Sequence, residues 1–91
     1  MQADFRVLPR PSAKVIFCTV SDGAVLLSMQ SEEYFGLNRV GALVWGLLDE
    51  ARSLDDLVGR VRAEFPTVPR EVIQTDVTDL LRQLQANQLV Q

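Results

Sequence analysis

Histidine is absent from the 91 residues, and cysteine occurs once. Without histidine the chain lacks the commonest general base, the commonest metal-binding side chain and the partner of every Ser-His or Cys-His nucleophile. The lone Cys18 cannot close an internal disulfide. It lies within VIFCTV, which reads as a buried strand, so it is expected to act as a small hydrophobe and not as a reactive thiolate. No catalytic residue, metal site or cofactor is therefore assigned, and an enzyme is not expected. Long apolar runs are missing too: none approaches the roughly 20 residues of a membrane span. The N-terminal MQADFRVLPRPSAK has no continuous apolar block of the secretory kind. A cytoplasmic protein without a membrane partner is expected. Positive charge is scarce as well, with 9 Lys and Arg against 12 Asp and Glu.

What is present suits one domain over 1–91, since 47% apolar residues in a chain of this length supply one core and no second lobe. Pro9 and Pro11 make 1–13 an irregular arm. KVIFCTV (14–20) and AVLLSM (24–29) are β-rich runs separated by Ser21-Asp22-Gly23, whose Asp-Gly pair is expected to supply the positive φ of a tight hairpin turn. After the polar QSEE, YFGL (34–37) reads as a third antiparallel strand or as coil leading into a helix.

The period then changes. Asn38 is a good N-cap, and Val40, Val44, Leu47 and Leu48 recur at helical spacing, which predicts a helix over 39–50 with Trp45 widening its apolar arc. Ser53-Leu54-Asp55-Asp56 has the form of a capping box and opens a helix over 54–65 that ends before Pro66. Pro69 and Glu71 suit the start of a third helix over 69–86, with Asn87 as its left-handed C-terminal residue. Three strands followed by three helices give an α+β fold, a small antiparallel sheet on a helical cluster. It is the arrangement of a winged helix-turn-helix with the hairpin placed first.

GAVLLSMQSEEYFGLN, then GALVW and LL, RSLDDLV, a proline-opened segment and a last helix carrying Asp76-Val77 together resemble the PqqD-like family. These are the precursor peptide recognition elements of ribosomally made, post-translationally modified peptides. The resemblance covers about 14–90 and is strongest to the stand-alone members that accompany lasso-peptide maturation. The family often has a glycine in the turn before the aromatic strand, where this chain has Ser31-Glu32-Glu33. The face taken by Tyr34 and Phe35 therefore stays open. If Gln30 opposes Glu33, Tyr34 and Gly36 share the face of Leu27; a loop one residue longer puts Phe35 and Leu37 there.

The resemblance implies that a precursor's leader segment docks as an added strand along the third strand, in a groove closed by the third helix. An edge strand with unpaired amides and carbonyls independently invites such strand addition. Carried onto this sequence, Glu33, Tyr34, Phe35 and Gly36 would supply backbone hydrogen bonds, with Leu37 ending the strand. On the third helix Val72, Asp76, Leu80 and Gln83 are spaced as one stripe, offset from Ile73, Val77, Leu81 and Leu84, which are assigned mainly to the core; by resemblance Val72 and Leu80 would hold an apolar anchor, and Asp76 or Gln83 would bond at its rim. The resemblance further implies a Tyr-x-x-Pro anchor in the leader, delivery to a leader-removing cysteine protease, and an ATP-dependent cyclase downstream. Two other readings compete. A winged helix-turn-helix can bind DNA, but Glu71, Asp76 and Asp79 stand against Arg70 and Arg82 on the helix that would enter the groove. A homodimerising scaffold would instead pair YFGL with its own copy.

Overall fold

The computed structural model describes residues 5 and 7–91. Its elements run β1 (Val15–Val20), β2 (Gly23–Ser28), β3 (Tyr34–Asn38), α1 (Arg39–Leu47), α2 (Leu54–Glu64) and α3 (Arg70–Ala86). The strands form one antiparallel sheet in the order β1-β2-β3, so the α+β arrangement is the expected one and the third strand is a strand, not coil.

The first hairpin forms for a different reason than the Asp-Gly pair suggested. Val20 pairs with Gly23, leaving Ser21 and Asp22 as the turn, and no described glycine has a positive φ. Gly23 is required by space instead: a Cβ there would sit 2.0 Å from the carbonyl oxygen of Leu37 in the neighbouring strand. In the second turn the left-handed position falls on Glu32, at φ 62°, within the segment where a glycine was expected from the family resemblance. The Glu32 amide donates to the Ser28 carbonyl (2.7 Å) and the Ser28 amide to the Glu33 carbonyl (2.9 Å). Ser28, and not Gln30, therefore meets Glu33. The slip is two residues, the side-chain period of a strand, so Tyr34 and Gly36 still share the face of Leu27.

Alternation along β2 sorts the two faces. Ala24, Leu26 and Ser28 are buried, with Phe35 and Leu37 beside them on the helix-facing side, and Val25 and Leu27 lie half-buried on the other. α1 packs on β2 and β3 through Val44 and Trp45, while α2 closes on it with Leu57, Val58 and Val61. The core stripe of α3 is the expected one: Ile73, Val77, Leu81 and Leu84 are all buried.

One expectation about burial is corrected. β1 is not a buried strand. The helices pack on β2 and β3, so β1 overhangs them, and Ile16, Phe17 and Val20 are 44%, 38% and 52% exposed on its two faces. Cys18 is exposed with them. The arm, conversely, is part of the core: Phe5 and Leu8 are buried. Residues 1–4 and 6 of that arm lie outside the described residues. Arg10 and Gln91 exchange two backbone hydrogen bonds of 2.8 Å, Ser12 donates to Leu89, and the Arg10 guanidinium donates to the Leu48 carbonyl just past α1. A cation at the negative end of a helix is favourable in charge as well as in bonding.

The helix ends follow local chemistry. Asn38 Oδ1 accepts from the Gly41 amide (2.8 Å), and Ser53 Oγ accepts from the Asp56 amide (3.1 Å). The Asp56 carboxylate reaches back to the amide of Arg52 at 2.9 Å. That backbone bond, opposed by desolvation and reinforced by Arg60, holds the Asp56 carboxyl below its ordinary value of 3.8. α1 ends at Leu47, three residues short of the expected 50, in a run of turns that brings Ala51 into the core. At the end of α3 the left-handed residue is Gln88, at φ 58°, and not Asn87, at φ −99°. Gln88 donates to Gln85 and Leu89 to Leu84, and both leucines are buried, the pattern of a Schellman motif.

Candidate functional site

Among the described residues β3 has one strand neighbour, β2. The C-terminal residues pair with the arm, Val90 bridging Pro11, and none of the described ones makes a backbone hydrogen bond to β3. Which backbone groups of β3 face outward follows from the antiparallel ladder, in which successive residues point their amide and carbonyl to alternate sides. The Glu33 carbonyl is bonded to Ser28, so the same parity turns Phe35 and Leu37 toward β2. Tyr34 and Gly36 then direct their N–H and C=O groups out of the sheet. Of the four residues expected to supply ladder bonds, geometry thus puts two at the edge and directs Glu33 and Phe35 inward.

Beside this edge runs a groove of about 390 Å³. Its strand side is Phe35, Gly36, Leu37 and Asn38, and its floor is Val40 and Gly41 at the start of α1. Its far wall is α3, through Asp76, Asp79, Leu80 and Gln83. The floor is shallow because α1 begins directly at the end of β3. Gly41 packs so closely on Leu37, 3.2 Å from its methyl to an added Cβ, that a side chain there would lift the strand or fill the floor.

The structure therefore brings Phe35, Gly36, Leu37, Asp76, Leu80 and Gln83 together around one cavity. Leu80 is half-buried and packs on the core while also lining the groove. Val72 lies on the same stripe of α3 but two turns earlier, 47% exposed and outside the lining. The Tyr34 side chain, 74% exposed, points to the sheet face away from the helices and reaches the site only through its backbone. A Cβ on Gly36 would meet nothing within 4 Å, so this glycine is not demanded by the chain's own packing. Asn38, Val40, Gly41 and Asp79 were not singled out as site residues. Asn38 and Val40 carried local signals of their own, a cap and a core stripe, which masked their second role. Asp79, one residue before Leu80 and three after Asp76, was within reach of the same helical-stripe argument.

Among the described residues no helix is long and apolar enough to cross a membrane. An exposed edge beside an open groove is suited to hold an extended chain, with main-chain bonds on one side and side-chain pockets beneath.

Comparison with known proteins bears on this geometry. Residues 23–90 match the family described as coenzyme PQQ synthesis protein D (PqqD). No curated protein is similar enough to count as a match. Two solved structures are similar over nearly their whole lengths. TbiB1 in complex with the TbiA(beta) leader peptide is 34% identical with a TM-score of 0.78, over 90% of this chain and 94% of that one. Lasso peptide synthetase B1 complexed with the leader peptide is 26% identical with a TM-score of 0.79, over 93% of this chain and 99% of that one.

Proposed function

The chain belongs to the PqqD family, and on that premise we propose that it binds the leader segment of a ribosomally synthesised precursor peptide as a fourth strand along β3 and presents it to maturation enzymes. The observation that carries this reading is the unpaired edge at Tyr34 and Gly36 opening onto the β3–α3 groove. That both similar structures are leader-peptide complexes supports it. Two backbone residues, each offering a donor and an acceptor, fix an extended guest in register. An apolar side chain of the guest descends between Val40 and Leu80, and Gln83 bonds at the rim. A Tyr-x-x-Pro segment fits such a site, its tyrosine as the descending side chain and its proline limiting the entropy lost on binding.

In this reading the domain performs no chemistry. Its partner is a leader-removing cysteine protease, and holding the leader beside that protease raises the local concentration of the cleavage site. The setting is the cytoplasm, where an exposed thiol such as Cys18 stays reduced.

The test is a fluorescence-anisotropy titration with synthetic leader peptides encoded beside the gene, joined to amide hydrogen exchange by NMR. Saturable binding should slow exchange at Tyr34 and Gly36, while Phe35 and Leu37, already bonded to β2, change little. Protection that appears elsewhere, with these two amides unaffected, would refute strand addition at β3.

A further inference from the structure

Among the described residues the groove has carboxylates in its wall and no cation in its lining. Asp76 and Asp79 stand on α3, and the lining residues of β3 and α1 are neutral. Asp79 bonds to Arg82 at 3.3 Å. Asp76 has no ion-pair or hydrogen-bond partner among the described residues. Glu33, exposed just ahead of β3, adds a further negative charge on the strand side. The carboxylates do not define the site, which the strand edge and groove do. They set the charge that an occupant meets.

Resting on the peptide-binding reading above, we infer that the bound segment carries a lysine or arginine two residues from the apolar side chain it buries against Leu80. The spacing comes from matching two repeats. Asp76 precedes Leu80 by four residues, about 6 Å along a helix at roughly 1.5 Å per residue. Side chains on one face of an extended guest recur every second residue, about 6.6 Å. The two rails run side by side for similar lengths, since the lining spans Phe35 to Asn38 on the strand and Asp76 to Gln83 on the helix, about 10 Å in each case. A guest whose apolar anchor sits over Leu80 therefore brings its next inward-facing residue to Asp76. An acid at that place meets two carboxylates beside a partly desolvated wall, whereas a long cationic side chain lays its methylenes along the groove and its charge at the rim.

The experiment uses the full chain and synthetic Tyr-x-x-Pro peptides carrying Lys, Gln or Glu two residues before or after the tyrosine, read by anisotropy competition. At low salt one of the two Lys peptides should bind about fivefold or more tighter than its Glu counterpart, with Gln between. The difference should shrink as salt rises. Asp76→Asn should remove most of the preference and Asp76→Lys reverse it; both sit at an exposed position, and circular dichroism checks their folding. Equal binding of the Lys, Gln and Glu peptides overturns the charge inference and leaves strand addition standing. A preference that Asp76→Asn leaves intact overturns the role of Asp76. Failure of every peptide and of the native leader to bind overturns the peptide-binding reading along with it.

Discussion

Gly36 separates a backbone role from a side-chain role at the β3 edge. Its N–H points away from the sheet, so Gly36→Pro removes a donor that β2 does not use, and an edge strand tolerates proline on that side. The fold should survive. A bound leader loses one hydrogen bond, worth about 0.5–1.5 kcal/mol net, and keeps a carbonyl without a donor, a further cost of about 1–3 kcal/mol when that carbonyl is desolvated. Together these weaken binding by roughly tenfold to a thousandfold. Gly36→Ala tests the opposite limit. Its Cβ enters open space on the outer face, so affinity should change by less than about twofold and stability should rise by about 0.4–1 kcal/mol through the unfolded state. Anisotropy titration of both variants with a labelled leader, alongside circular dichroism, decides the matter. A folded Gly36→Pro that binds normally, or an alanine variant as damaged as the proline one, refutes the claim that this amide forms the ladder.

Gly23→Ala should destabilise the domain by about 2 kcal/mol or more, because its Cβ would collide with the Leu37 backbone and separate β2 from β3; urea unfolding measures it. Glu32→Gly and Gln88→Gly should each stabilise by up to about 1 kcal/mol by relieving left-handed φ, raising Tm by about 4–8 °C; a fall in Tm at both sites would count against strain there. The Asp56 carboxyl, held below its ordinary value by the Arg52 amide and by Arg60, stabilises the fold fully above about pH 4 and progressively less as pH falls through its lowered value. Urea midpoints measured from about pH 5 downward should therefore drop more steeply for the native chain than for Asp56→Asn.

Local signals made most of the fold legible. Asn38, Ser53 and Pro66 mark helix limits because a cap or a break is decided by a few neighbouring atoms, and the core stripe of α3 follows from period alone. β1 was misread because VIFCTV says only that a strand is apolar. Whether helices cover it depends on which strand lies in the middle, and β2 does. The left-handed residues were equally hidden, since a closed turn and a Schellman motif force Glu32 and Gln88 into a conformation their own chemistry disfavours. At the site, the strand and the α3 wall were readable as an aromatic run and a helical stripe. The floor was not, because Val40 and Gly41 enter it through the tight join of β3 to α1.

A sheet this small has two flanks, and among the described residues the outer edge of β1 is as bare as that of β3. β1 carries neither proline nor charge between Lys14 and Asp22, and from Ile16 to Val20 its side chains stand exposed above and below. Those two ionic sentinels, one at each end, are what the strand has to discourage stacking into fibrils. Concentrated solutions of the domain should begin to aggregate at VIFCTV, and a lysine in place of Thr19 is the substitution that would keep it dispersed without touching the β3 groove.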